Sequence, residues 1–219
     1  MPEALEASVG IGVIHLFCTV GEGTDRAAIE VAVKAAQADD LQVVPVAVLG
    51  HKADVAFMVL GKDWWKLKSF QTALSVAGLT IIDSYVSMTE LSEYAKGLPE
   101  QMAKARLYPE LPPEGMSAWC FYPMSKKRER KANWFTLPFD ERKELMMEHG
   151  ASGRKFAGRI VQLITGSAGV DDYEWGVTLF AQKPDDLKEV VYTMRFDEAS
   201  AKYADFGPFI TGAIGTLAE

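Results

Sequence analysis

Three features of this sequence hold side chains with chemistry beyond packing. His149, one of only three histidines in 219 residues, sits in "MMEHGASGRKF" (146–156). Tyr122 and Met124 recur at alternate positions of "CFYPMSK" (120–126), an arrangement that places both on one face of a strand, with Lys126 just beyond. "KKRERK" (126–131) packs five basic residues into six positions of a chain whose formal charge is −7. No second His or Cys lies at ligand spacing from His149, which argues against a tetrahedral zinc site. A single axial bond to a haem iron asks for only one imidazole. A histidine in a last helical turn followed by glycine is also what helix termination favours. The phenol of Tyr122, with a pKa near 10, is a poor base at neutral pH but can be oxidised to a radical. The basic run reads either as a solvated loop or as a local funnel for an anionic ligand.

The rest of the composition narrows the field. The acidic balance argues against a general nucleic-acid binder, which needs a basic face. No apolar run approaches the roughly 20 residues of a membrane span. The first ten residues, "MPEALEASVG", carry glutamates instead of a basic leader region. Cys18 and Cys120 form no CxxC pair and are too few for a disulfide framework. These features read as a protein of the reducing cytoplasm.

The elements that must position these residues come as a duplication. "ADVAFMVLGKDWWKLKSFQTAL" (53–74) can be laid on "YEWGVTLFAQKPDDLKEVVYTM" (173–194). In each, an apolar strand ends in a short turn with Lys and Asp, and a helix follows. That helix has apolar residues at Leu67, Phe70 and Leu74 in one copy, and at Leu187, Val190, Val191 and Met194 in the other. Upstream, periodicity predicts strand, helix and strand over 11–19, 26–38 and 42–49, and again over 117–123, 139–149 and 157–165. With closing strands at 79–87 and 207–214, each copy reads β-α-β-β-α-β, a ferredoxin-like unit. "KARLYPELPPEGMS" (104–117), with three prolines and a glycine, breaks the periodicity between them. The expected organisation is a repeat over 1–103, a linker over 104–117 and a second repeat over 118–219. Two such sheets in one chain can cover each other's open faces, which predicts an α+β barrel with helices outside. In the second repeat, Phe139, Arg142, Met146 and His149 form one stripe, so the imidazole is expected on the helix face that packs on the sheet.

The strings "FYPMSKKR", "NWF.LP", "MMEHG..GRKFAGRIVQL", "DDYEWGVTLF" and "MRFDEASAKYADFGPF" resemble the coproheme decarboxylase family of the chlorite dismutase superfamily. The likeness covers nearly the whole chain and is strongest over 118–211. It implies a duplicated ferredoxin-like barrel, usually assembled as a homopentamer. It also implies a reaction in which two propionates of Fe-coproporphyrin III (coproheme) are oxidatively decarboxylated to vinyl groups. The products are haem b and carbon dioxide, and hydrogen peroxide is the oxidant. Coproheme then serves as both substrate and redox cofactor, and a coproporphyrin ferrochelatase is an expected partner.

By the same resemblance, His149 is the iron ligand and Tyr122 the residue whose radical takes hydrogen from a propionate. Lys126 stands at the propionate side, in the string Tyr122, Pro123, Met124, Ser125, Lys126 that matches the family. Gln162 matches the distal glutamine, Arg106 a substrate-binding arginine and Ser200 a propionate-binding serine, while Arg154 and Arg195 are further carboxylate candidates. Forked arginines and a point-charge lysine suit a tetra-anionic substrate. Chlorite-dismutating relatives carry arginine where this chain has Gln162, so the resemblance speaks against that reaction. A haem carrier would need His149 and the propionate contacts, but not Tyr122. His51 reads as a turn residue and His15 as a buried strand position. Neither is placed over the iron, so the base for peroxide stays open.

Overall fold

A computed structural model describes residues 3–95 and 97–215. The first half runs β1 (Gly12–Thr19), α1 (Arg26–Ala38), β2 (Gln42–Val48), β3 (Val55–Gly61), α2 (Trp64–Val76) and β4 (Thr80–Thr89). Helix α3 (Glu100–Leu107) then leads to β5 (Ala118–Lys126) and a small hairpin of β6 (Arg128–Glu129) and β7 (Ala132–Asn133). After a single 3₁₀ turn at Trp134–Thr136 come α4 (Phe139–Arg154), β8 (Ile160–Gly166), β9 (Trp175–Ala181) and α5 (Pro184–Met194). The chain closes with α6 (Glu198–Ala201), β10 (Ala204–Phe206) and β11 (Ile210–Ile214).

Local chemistry sets these boundaries. Asp25 caps α1 by accepting the Ala28 N–H at 3.0 Å, and Asp63 caps α2 by accepting the Trp65 N–H at 3.0 Å. Helix α1 has the bounds its periodicity predicts and buries Ile29, Val33 and Ala36, while α2 buries the expected Leu67, Phe70 and Leu74. Three expectations differ from the structure. Helix α3 occupies the first residues of the expected linker. The second-half helix does not stop at His149 but continues to Arg154. The closing strand expected over 207–214 begins only at Ile210, and a separate short strand, β10, precedes it across the break at 207–209.

All the main strands join one antiparallel sheet. Its order is β10-β5-β11-β2-β3-β1-β4-β8-β9, and β9 also pairs with β5, which closes a ring. The halves meet at two matching seams: β4 on β8, with Met88 opposite Gly166, and β11 on β2, with Gly212 opposite Val48. Strand alternation divides the side chains into a ring interior and an outer face. The interior is packed with Phe17, Met58, Trp119, Phe121 and Phe180. On the outer face of the first half, Ile14 and Leu16 are sealed beneath α1 and α2. Pro123 sits where the partner of β5 changes from β11, which ends opposite Phe121, to β10, which begins opposite Met124. Its carbonyl accepts the Gly207 N–H on that same edge, so the N–H that proline lacks falls in the gap between the two strands.

Candidate functional site on the outer face of the second half

The duplication shows where the halves diverge. Gly12 pairs with Gly61 as Ala118 pairs with Ala181, so Leu16 and Tyr122 occupy equivalent positions. Gln42 pairs with Leu60 as Val161 pairs with Phe180, which makes Val43 the equivalent of Gln162. In the first half both positions are apolar and buried under helices. In the second half they carry a phenol and an amide.

The covering helix diverges as well. Helix α1 buries three residues, whereas α4, its counterpart, buries none and packs chiefly against α6 and α5. The stripe containing His149, which periodicity alone placed on the sheet, instead meets Tyr94 and Glu93 through Phe139 and Arg142, Trp134 and Tyr203 through Met146, and Asp197 and Ser200 through His149. Neither Gly150 nor Gly153 takes a positive φ, so neither ends the helix. Gly158, in the turn that follows, does adopt one, at 81°. Part of the sheet stays uncovered: Ile164, next to Gln162 on the outer face of β8, is 44% exposed.

His149 is held by groups 48 and 51 residues further on. Its Nδ1 lies 3.0 Å from Asp197 Oδ2 and 3.3 Å from Ser200 Oγ. Asp197 also caps α6, with Oδ1 accepting the Ser200 N–H at 2.9 Å. Burial pushes the Asp197 carboxyl up, but its bonds to His149 and Ser200 outweigh this and hold it below the usual carboxylate range. An ionised carboxylate only accepts, so Nδ1 carries the proton and the Nε2 lone pair is left for a metal. Among the described residues no three His, Cys, Asp or Glu side chains converge on a metal-sized site. His149 therefore offers a lone imidazole nitrogen, with no cluster of further candidate ligands among the described residues.

Tyr122 is buried on the outer face of β5. Its ring stacks on Phe209 with centroids 4.3 Å apart and meets Phe206 at 5.8 Å. Burial, with a contribution from Cys120 and against the pull of Arg195, raises the phenol well above its ordinary pKa. The hydroxyl is thus protonated at any physiological pH.

Lys126, two alternations along the same face, is 8% exposed. Its Nζ donates to the Ala199 carbonyl at 2.7 Å and lies 4.3 Å over the Trp134 ring. Burial pulls the amine down to about 8, against the opposing influence of Asp197 and Glu174. Among the described residues it makes no ion pair. A buried ammonium bonded only to a carbonyl and an indole face, with Asp197 and Glu174 near but not paired to it, can take an anionic ligand beside it.

Gln162 lies opposite Leu179 on β8, and Tyr122 lies opposite Val177 on β5. Both thus flank β9 on the outer face, separated by roughly 12 Å of sheet. Strand alternation turns Pro123 and Ser125 to the other face, and Ser125 Oγ accepts the Glu174 N–H at 3.2 Å. Their side chains are not in the cluster with Tyr122, Met124 and Lys126, although the matched string contains all five. The Ser200 hydroxyl is directed at His149. Arg195 caps α5 and stacks 3.9 Å over Phe206. Arg154, in the last turn of α4, and Arg106, in the last turn of α3, are exposed, and among the described residues neither bonds to the cluster. Residues 128–133 form the β6–β7 hairpin just after Lys126, with 128–131 exposed. Asp197, Trp134, Phe206 and Phe209 are parts of this site that sequence reasoning missed. Only Asp197 left a local signal, an N-cap residue three positions before Ser200.

The family model described as chlorite dismutase matches residues 24–215, and the chain belongs to that family. Among curated proteins, a coproheme decarboxylase of Staphylococcus carnosus is 49% identical over 179 residues, covering 76% of this chain and 70% of that one. A coproheme decarboxylase of Staphylococcus saprophyticus is 45% identical, covering 77% and 71%. Among solved structures, a heme-binding protein from Thermus thermophilus superposes with a TM-score of 0.85 at 35% identity, over 99% of this chain and 94% of that one. A chlorite dismutase from Candidatus Nitrospira defluvii reaches a TM-score of 0.75 at 18% identity, a likeness of fold alone.

Proposed function

We infer that the chain is a coproheme decarboxylase, converting Fe-coproporphyrin III to haem b and carbon dioxide. The observation that carries this reading is a buried phenol, Tyr122, on the same strand face as a buried ammonium with no direct ion pair among the described residues, Lys126. Both lie on the face of β5 turned toward the helices that hold His149. A carrier needs an imidazole and cations, but has no use for a protonated phenol buried beside them.

When bound, the substrate's iron would activate hydrogen peroxide, which supplies the oxidising equivalents. His149 would ligate it through Nε2, with Asp197 fixing the ring and its tautomer. Lys126 would hold a propionate carboxylate as a point charge, with Arg106, Arg154, Arg195 and Ser200 as further contacts and Gln162 on the distal side. Tyr122 would give up an electron and its phenolic proton, then regain a hydrogen atom from the propionate side chain. Each propionate loses carbon dioxide, one proton and two electrons. With one further proton from solution, peroxide is reduced to two waters. In this reading residues 1–103 form a structural repeat, 104–117 the connection, and 118–219 the repeat carrying the site. A homopentamer in the cytoplasm, receiving substrate from a coproporphyrin ferrochelatase, belongs to the same proposal. No described helix is long and apolar enough to cross a membrane.

The test is to add coproheme and stoichiometric peroxide to the wild-type protein and to Tyr122→Phe, following products by mass spectrometry. The wild type should pass through a three-propionate intermediate to haem b, and the variant should bind coproheme but leave its propionates intact. Haem b formed at the wild-type rate by Tyr122→Phe would remove the radical role. An intact tetrapropionate in both would point to a carrier.

A further inference from the structure

The stack on Tyr122 is anchored in the opposite half of the chain. Phe209 lies within 22° of parallel to the Tyr122 ring, and Phe206 is tilted against it by 57°. Phe206 ends β10 and Phe209 immediately precedes β11, so Phe209 stands in the break between two strands, where no continuous ladder fixes it. The break is tied down on both sides. The Gly207 N–H donates to the Pro123 carbonyl at 2.9 Å. Lys52, in the turn between β2 and β3, donates from Nζ to the Phe209 carbonyl. That turn also meets β11 directly, through the Leu49 N–H on the Thr211 carbonyl at 2.9 Å.

A tyrosine's own bonds do not fix its ring plane, because the χ2 torsion of an aromatic side chain is broad. A neighbouring ring in offset contact does fix it. Hydrogen transfer between a phenol and a carbon centre depends steeply on alignment, so the plane matters as much as the distance. We propose that Phe209, clamped by Lys52 from the first half, is a positioning residue that sets the plane of the Tyr122 ring for hydrogen transfer. This gives the first repeat, whose own outer face is sealed by helices, a direct part in the chemistry of the second. Lys52 is suited to act as the clamp, because an ammonium on a carbonyl makes a charge-assisted hydrogen bond. The residue also lies on the surface, where its replacement leaves the core intact. The inference rests on Tyr122 being the redox relay.

The test uses full-length Phe209→Leu, Lys52→Met and Lys52→Arg, loaded with coproheme and frozen after peroxide addition. Electron paramagnetic resonance of a tyrosyl radical reports the ring angle through its β-proton couplings. Phe209→Leu and Lys52→Met should broaden and shift those couplings and slow decarboxylation about tenfold. Coproheme affinity should stay within about twofold of wild type, and Lys52→Arg should restore both the spectrum and the rate. Unchanged couplings and rate in both Phe209→Leu and Lys52→Met would overturn the inference and leave the role of Tyr122 standing. Loss of coproheme binding in parallel with rate would make Phe209 a wall of the pocket and also overturn it. A wild-type spectrum that persists in Tyr122→Phe would remove the relay itself. If Phe209→Leu fails to fold, the two Lys52 variants decide the matter alone.

Discussion

His149 and Asp197 face each other at 3.0 Å, Nδ1 to Oδ2, and the same carboxylate caps α6 through its other oxygen. The cap holds the acid still, and the acid in turn sets the tautomer and direction of the imidazole. One residue thus joins a helix start to the imidazole whose other nitrogen, Nε2, would meet the iron.

Asp197→Asn separates these two duties. Asparagine is as good an N-cap as aspartate, but the two bonds use different carboxylate oxygens, and with its oxygen on the Ser200 N–H the amide turns a donor NH2 toward the His149 N–H. The variant should fold and bind coproheme about 10- to 100-fold more weakly, as read by absorbance titration. Ser200→Ala, which removes a hydroxyl 3.3 Å from the same nitrogen but no charge, should cost less. Equal affinities for Asp197→Asn and wild type would dismiss the carboxylate as an orienting group.

Lys126 should give substrate binding a basic-side pH dependence. Its amine, pulled down to about 8 by burial, is charged below that value and neutral above it. Affinity for the tetra-anionic substrate should therefore fall between pH 7 and pH 9.5. Lys126→Met should bind about tenfold more weakly at neutral pH and nearly like the wild type at the upper end. The stability contribution runs the other way. The folded state binds fewer protons than the unfolded chain between about 8 and 10.5, so Lys126 adds stability as pH rises through that window. Identical pH profiles for the two proteins would deny Lys126 a charge role in binding.

His15 should weaken the ring in acid. It is 1% exposed inside the ring, bonded to Thr178 Oγ1 at 3.0 Å, and burial pulls its pKa down to about 3. Unfolded, it titrates near 6.5. Between those values the unfolded chain binds the extra proton, so stability falls as pH drops, by roughly 2 kcal/mol at pH 5. Urea denaturation at pH 7.5 and pH 5 should show this loss in the wild type. The pH-dependent part should be missing from His15→Leu, whatever that substitution costs at neutral pH.

Much of the fold was legible because it is local. The helical spacing of Leu67, Phe70 and Leu74, the Lys and Asp turn before that helix, and the alternation of Tyr122 and Met124 toward Lys126 each depend on neighbours a few residues away. The β-α-β-β-α-β order follows from the same signals repeated. The one-sided placement of Pro123 and Ser125 was equally available from alternation, but the matched string obscured it.

By itself, then, the sequence determined most of the elements, their duplication and which side chains are candidates for chemistry. Only the tertiary structure decided that α4 stands away from the sheet where α1 lies upon it. It also decided that Asp197 meets His149 across 48 residues, that Gln162 and Tyr122 share one face across β9, and that Lys52 reaches Phe209. These relations follow from strand register and ring closure, which depend on the packing of distant segments. Periodicity within a segment specifies which face a residue takes, not which partner it meets there.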